Sequence, residues 1–144
     1  MPTLSIMGWA FFHTPESWEV KEGVWLQRAV KEEFPSSVTA SKELLGKMSL
    51  KEFVDAQTGM LSKYLNDARI EALKPPRVGA AEETFAVDVH HATIDGKEMV
   101  FRRIYAKNGG IVGVLNVTSM AGDLPRIMES LRPLFADVAF LGGG

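Results

Sequence analysis

Two glycine-containing dipeptides constrain this chain more than any other feature, because they divide residues 84–118 into three strand-like stretches. Asp95-Gly96 and Asn108-Gly109 are typical of two-residue type I′ turns, in which both central residues need a positive φ. The sequence therefore predicts a three-stranded antiparallel meander. If each loop contains only two residues, the register of the strands and the facing of every side chain follow.

The predicted register separates the meander into two unlike faces. Its first hairpin pairs Val87 with Ile104, Asp88 with Arg103 and His90 with Phe101. Its second hairpin pairs Lys107 with Gly110, Tyr105 with Val112 and Arg103 with Val114. One side is then apolar apart from Arg102, and it is predicted to be a core face formed by Phe85, Val87, Val89, Val100, Ile104, Ile111, Leu115 and Val117.

The opposite side, the mixed face, combines apolar, aromatic and charged residues. It contains Ala86, Asp88, His90, Met99, Phe101, Arg103, Tyr105, Val112, Val114 and Asn116. A face this apolar is not expected to be plainly exposed to solvent. It is either a second covered face, packed by a helix or a homodimer partner, or a groove for an apolar segment or ligand, or a catalytic cleft. If the mixed face is a groove, each of its residues except Ala86 is a candidate partner-binding residue.

Two helices are predicted beside the sheet. Ser49-Leu50-Lys51-Glu52 is a capping box, and it is followed by apolar residues at helical spacing, namely Leu50, Phe53, Val54, Leu61, Tyr64 and Leu65. Asp123 is predicted to cap a second helix that turns Leu124, Ile127, Met128, Leu131 and either Leu134 or Phe135 inward. Pro133 is expected to kink or end that helix.

Further strands are predicted within residues 3–12, 17–21, 24–30, 37–42 and 69–73. The order of elements indicates an α+β fold, in which helices pack on a central antiparallel sheet of about six strands. Residues 1–140 are expected to form a single domain, and residues 141–144 a flexible glycine tail.

Composition argues against several functional classes. The net charge of -2 and the pI of about 5.9 do not predict nucleic-acid binding. The chain has no cysteine, so disulfides, thiol catalysis and cysteine-bound metal clusters are excluded. The sequence contains no run of roughly 18 apolar residues, so membrane insertion is not expected. The opening MPTLSIMGWAFFHTP lacks the basic region of a signal peptide, which favours a cytoplasmic location.

Catalytic and metal-binding patterns are weak. His90 and His91 are neighbours on a predicted strand, so their side chains point to opposite faces and do not bind one metal together. Asp88 and His90 share a predicted face as an acid–base pair, but no GxSxG motif supplies a nucleophile. The glycines at 109, 110 and 113 join two strands and precede no helix, unlike a phosphate-binding loop. We therefore expect no enzyme activity, metal or cofactor, and keep Asp88 with His90 as the enzymatic alternative.

Three segments resemble the DcrB-like, PsbP-related family. They are GWAFFHTPESW at 8–18, the predicted helix at 49–65, and IDGKEMVFRRIYAKNGGIVGVLNVTS at 94–119, followed by a last helix that ends near Leu131-Arg132. The resemblance implies an α/β/α sandwich around a central antiparallel sheet. It also implies a non-enzymatic binding protein, similar to the cytosolic adaptor chaperones of type VI secretion effectors. Those are homodimers that hold the transmembrane helices of an effector on the sheet.

The residues and the resemblance together suggest a cytoplasmic, chaperone-like adaptor. In this hypothesis a partner protein places an exposed apolar segment on the mixed face. Two alternatives remain, namely a structural or ligand-binding subunit whose mixed face is a homodimer interface, and a small enzyme that uses Asp88 and His90.

Overall fold

The computed structural model describes residues 4–6, 9–11, 18–21, 25–28, 37–65, 68–76, 78–92, 96–136 and 139–140. Its strands are β1 (Leu4–Ile6), β2 (Trp9–Phe11), β3 (Trp18–Lys21), β4 (Trp25–Arg28), β5 (Ser37–Leu44), β6 (Arg69–Leu73), β7 (Glu83–Ala92), β8 (Glu98–Asn108), β9 (Ile111–Met120) and β10 (Ala139–Phe140). The helices are α1 (Leu50–Tyr64) and α2 (Leu124–Ala136), and a 3₁₀ turn at Ala121–Asp123 leads into α2. The predicted glycine tail at 141–144 lies outside the described residues.

The predicted α+β class, an antiparallel sheet with two helices, is confirmed. The main sheet has the strand order β3-β4-β5-β9-β8-β7-β6, and β1, β2 and β10 form a separate small sheet. All neighbouring strands pair antiparallel. The meander β7-β8-β9 is therefore central, with β5 and β6 as its outer neighbours.

The first hairpin of the meander is paired one residue away from the predicted register. Asp88 lies opposite Arg102 and not opposite Arg103. The last pair is Ala92 with Glu98, so the connection contains five residues instead of two. The register differs from the prediction by one residue because the Asp-Gly dipeptide marks a turn without fixing the length of its loop.

This shift corrects the predicted faces of β7. The predicted pair Ile94–Lys97 falls in the connection, where residues 93–95 lie outside the described part of the chain. Because side chains alternate along a strand, a shift of one residue exchanges the two faces. In the observed register, the face opposite Arg103 carries Ala86, Asp88 and His90. The face that contains Arg103 carries Phe85, Val87 and Val89.

The second hairpin is paired two residues away from the prediction, which leaves its faces unchanged. Asn108 pairs with Ile111, so the loop residues are Gly109 and Gly110. Of these two, only Gly109 has a positive φ, of 61°. Glycine with a positive φ at the first central position is typical of a type II′ turn, so the predicted type I′ turn is wrong.

The two helices pack on opposite faces of the sheet. On the side that we call the α2 face, α2 contributes Leu124, Ile127, Leu131 and Phe135 to a core with Val38, Ala40, Ala86, Val100, Ile104, Leu115 and Val117. On the other side, the α1 face, α1 contributes Leu50, Phe53 and Val54 to a core with Val87, Val89, Tyr105, Val112 and Val114. Both faces of the central strands are therefore largely shielded from solvent.

Helix α1 begins as the sequence predicts. The hydroxyl of Ser49 accepts a hydrogen bond from the Glu52 backbone N–H at 3.1 Å, and the Glu52 carboxylate accepts one from the Ser49 backbone N–H at 3.0 Å. Tyr64 was predicted to face inward, but it is 80% exposed. Leu61 and Leu65, four residues apart, occupy the inward positions of that turn instead.

Helix α2 begins and ends differently from the prediction. Asp123 lies in the preceding 3₁₀ turn, and its carboxylate accepts a hydrogen bond from Arg126 at 3.2 Å. The helix also continues through Pro133 to Ala136. Its inward residues nevertheless follow the predicted spacing.

Candidate functional site

The α1 face carries most of the predicted partner-binding residues. Alternate positions of β8 and their partners on β9 share this face, because cross-strand partners point the same way. It brings together Met99, Phe101, Arg103, Tyr105, Val112, Val114 and Asn116. Asp88 and His90 lie on the α2 face, which is a correction to the predicted mixed face.

Helix α1 covers part of this set. Tyr105 and Val112 are fully buried, and Val114 is 3% exposed. The ring of Phe53 meets that of Tyr105 edge to face, with 6.1 Å between the ring centroids. These residues form core and offer no open surface in this structure, and Met99 is also buried. The residues that remain half-buried are Phe101, Arg103 and Asn116.

Arg103 is the centre of a hydrogen-bond network at the edge of α1. Its Nε donates to the Tyr105 hydroxyl at 2.8 Å, and its Nη1 donates to Asn116 Oδ1 at 3.2 Å. Its Nη2 donates to Gln57 Oε1 at 2.8 Å. A guanidinium has five N–H donors, so two remain after these three bonds.

The partners of Arg103 are all uncharged. Within the described residues, no carboxylate forms an ion pair with this guanidinium. The connected carboxylate is that of Glu43, which accepts a hydrogen bond from Gln57 Nε2 at 3.1 Å and so reaches Arg103 only through the amide. The site thus holds a half-buried positive charge that no carboxylate of the described residues contacts directly.

Tyr105 does not act as the counter-ion. Burial raises the pKa of Tyr105 above its ordinary value, and the neighbouring charge of Arg103 opposes that increase only in part. The phenol is therefore neutral near pH 7 and accepts the Arg103 hydrogen bond through its oxygen. The guanidinium carbon also lies 5.5 Å from the centre of the Tyr105 ring, which adds a cation–π contact.

The network continues along β9 away from α1. Asn116 Nδ2 donates to Thr118 Oγ1 at 3.1 Å. Thr118 is half-buried and lies opposite Phe101 on β8. Amide, hydroxyl and guanidinium groups therefore form a polar row beside an aromatic ring.

Asp88 has a different environment on the α2 face. Its carboxylate is bound by Arg102 through two hydrogen bonds of 2.7 Å, from Nε and from Nη2. The Asp88 side chain is only 5% exposed. A buried carboxylate with both oxygens bound to one guanidinium is poorly placed to exchange protons with His90.

The two adjacent histidines point to opposite faces, as predicted. On the α2 face, His90 Nδ1 lies 3.2 Å from Glu98 Oε1, yet neither ring nitrogen has a hydrogen-bond partner among the described residues. On the α1 face, the ring of His91 packs on that of Phe101 with 4.7 Å between their centroids. The described part of the chain contains no group of three residues suited to holding a metal ion.

Gln57 is the site residue that the sequence reasoning missed. It follows Phe53 by four residues, on the side of α1 that points toward the sheet. An amide in a mainly apolar helical stripe was the available signal, because such a group needs a hydrogen-bond partner when buried. The other polar residue of this stripe, Thr58, satisfies its hydroxyl within the helix by donating to the Val54 carbonyl at 3.0 Å.

Comparison with known proteins supports the fold and goes no further. No family model and no curated protein matches the sequence. A Pseudomonas aeruginosa structure described as protein of unknown function PA94, putative regulator, is 15% identical, with a TM-score of 0.60 over 83% of each chain. LpqN of Mycobacterium tuberculosis, described as involved in cell envelope biogenesis, is 12% identical, with a TM-score of 0.63 over 98% of this chain and 88% of LpqN.

Neither helix of the described residues has the length and apolarity needed to cross a bilayer.

Proposed function

We propose that this protein is a non-catalytic, chaperone-like adaptor that holds an apolar segment of a partner protein beside α1. The observation that carries the proposal is the environment of Arg103: among the described residues this half-buried cation is bound only by uncharged groups, and two of its N–H donors have no acceptor. The docking surface is the half-buried strip of Phe101, Arg103, Asn116 and Thr118, together with Gln57. This surface is narrower than the predicted mixed face.

The chemistry of an apolar helical segment matches this strip. The last four carbonyl groups of such a helix lack partners within the helix and carry partial negative charge. Two free guanidinium donors suit carbonyl acceptors of this kind. The amide and hydroxyl groups of Asn116 and Thr118 are of the type that hydrogen-bonds between helices in apolar surroundings, and Phe101 supplies apolar area.

The family resemblance supports the same proposal. The DcrB-like, PsbP-related family has an α/β/α sandwich, and here α1 and α2 pack on opposite faces of the sheet. Its cytosolic adaptor chaperones serve type VI secretion effectors as homodimers. We extend to this chain a cytoplasmic location, a homodimeric state and a client of that class. The bidentate binding of Asp88 by Arg102 argues against the enzymatic alternative.

A peptide-capture assay tests the proposal. The probe is a synthetic peptide of about 20 alternating leucine and alanine residues with an amino-terminal lysine tag, the length of a membrane-spanning helix. The protein is mixed with the peptide during dilution from detergent, and the peptide that stays in solution is measured after sedimentation. Arg103→Gln is expected to lower the captured fraction several-fold, because it removes the charge and the free donors.

Arg69→Gln is the matched control. Arg69 is 70% exposed in its side chain, and it faces the α2 side, where it pairs with Glu98 at 2.6 Å. Capture by this variant should equal that of the unmodified protein, and thermal unfolding should show that both variants fold. Equal capture by Arg103→Gln and the unmodified protein would refute the proposed role of Arg103.

A further inference from the structure

A cleft of about 600 Å³ opens on the α2 face, away from the Arg103 strip. It lies between α2 and the strands β6, β7 and β8. This volume is within the range of roughly 300–1,000 Å³ that is typical of sites for small molecules.

The cleft is lined mainly by apolar groups. Ala86 and Phe135 are each 1% exposed and contribute apolar, water-excluded surface. Leu73 of β6 and Met128 of α2 are half-buried at its sides, and Pro125 lies at the start of α2. Such a lining favours the hydrocarbon part of a ligand, because burying apolar surface is favourable.

Among the described residues that line the cleft, the charged ones have an excess of positive charge. Lys74, Arg102 and Arg132 line it together with Glu129. Arg132 pairs with Glu129 at 2.9 Å, and Arg102 is paired with Asp88. Lys74 is exposed and has no ion pair among the described residues, so one positive charge is left over.

Arg102 also keeps hydrogen-bond donors for a ligand. Its bonds to Asp88 use Nε and Nη2. The two N–H groups of Nη1 have no acceptor among the described residues. The buried carboxylate fixes the orientation of the guanidinium, so these donors are held in place before any ligand arrives.

We propose that this cleft binds a small amphiphilic carboxylate of the medium-chain fatty acid class. The hydrocarbon chain lies against Phe135 and Met128, and the carboxylate accepts hydrogen bonds from Lys74 and Arg102. An apolar cavity with an unneutralised cation at its edge discriminates against neutral and cationic amphiphiles of the same chain length. The site lies on the opposite sheet face from the Arg103 strip, so it is independent of the proposed adaptor function.

Isothermal titration calorimetry with three matched probes tests the proposal. The probes are decanoate, decanol and decyltrimethylammonium, used below their aggregation concentrations in low-salt buffer. Decanoate is expected to bind about tenfold more tightly than either other probe, since charge-assisted hydrogen bonds are stronger than neutral ones. Equal affinities for decanoate and decanol, or no decanoate binding at 1 mM, would overturn the proposal.

Two variants locate the binding site. Lys74→Glu reverses an exposed charge without disturbing the core, and it should weaken decanoate about tenfold while leaving decanol unchanged. Met128→Trp fills the cleft and should weaken both probes about tenfold, whereas Met60→Trp, at an exposed position of α1, should weaken neither. If Met128→Trp fails to fold, Lys74→Glu still decides, because decanoate affinity equal to that of the unmodified protein contradicts the assigned site.

Discussion

Arg102 and Arg103 are neighbours in β8, yet they point to opposite faces of the sheet and have different surroundings. Arg102 is bound by the buried carboxylate of Asp88 through two bonds of 2.7 Å. Among the described residues, the partners of Arg103 are the uncharged oxygens of Gln57, Tyr105 and Asn116. The first arrangement fixes a buried ion pair in the structure. The second holds a positive charge in position with no carboxylate bound to it among the described residues.

Of the substitutions that alter the surroundings of Arg102 or Arg103, Asp88→Ala is expected to have the largest effect on stability. Asp88→Ala should lower the free energy of unfolding by about 2 kcal/mol, because it removes two charge-assisted hydrogen bonds and leaves the half-buried Arg102 guanidinium without its counter-ion. Urea denaturation followed by circular dichroism measures this loss. Asp55→Ala is the control, because Asp55 forms only an exposed ion pair with Lys51 on α1. A loss below about 1 kcal/mol for Asp88→Ala would mean that Arg102 does not depend on this carboxylate.

A smaller effect is expected on the Arg103 side. Tyr105→Phe removes the oxygen that accepts from Arg103 Nε, and it should cost about 1 kcal/mol because a half-buried donor loses its partner. The same denaturation experiment measures it. Tyr64→Phe, at a position that is 80% exposed, should leave stability unchanged. If both variants are equally stable, the hydroxyl of Tyr105 does not hold Arg103 in place.

The smallest change in stability is expected from a swap that makes Arg103 resemble Arg102. In the double variant Glu43→Gln with Gln57→Glu, the carboxylate moves next to Arg103 while the net charge stays the same. Stability should change by less than about 1 kcal/mol, as for other partly exposed ion pairs. Capture of the leucine–alanine peptide should fall several-fold, because the guanidinium is then neutralised within the protein.

Glu43→Gln alone is the control for that swap. It leaves Gln57 in place and Arg103 without a carboxylate, so peptide capture should be retained. Retained capture by the double variant would show that the charge of Arg103 is not what the peptide contacts.

The local parts of the fold were predictable, and the pairing of β7 was not. The capping box at Ser49 and the apolar spacing after it predict α1 because these signals involve residues only a few positions apart. The register of the first hairpin depends on loop length, which the Asp95-Gly96 dipeptide does not determine. Charge pairing offered no correction, because Asp88 lies opposite an arginine in either register.

The hydrophobic pattern of β7 was equally uninformative. Both faces of β8 carry apolar residues, with Val100 and Ile104 on one and Phe101 and Tyr105 on the other, so the apolar face of β7 meets apolar partners in either register. The candidate site was therefore predicted in part. Its β8 and β9 residues were grouped correctly, because the second hairpin differs from the prediction by an even number of residues. Asp88 and His90 were assigned to it wrongly, and Gln57 was overlooked.

The capping box of α1 has a consequence beyond helix stability, because it sets the rotational phase of the helix. The connection before it is short, and Leu45 is tied to the sheet by a bond from its backbone N–H to the Gly110 carbonyl at 2.8 Å. Each residue of an α-helix turns by about 100°. A helix that began one residue later on the same path would turn the Gln57 amide away from Arg103. The first turn of α1 thereby aligns a contact two turns further along.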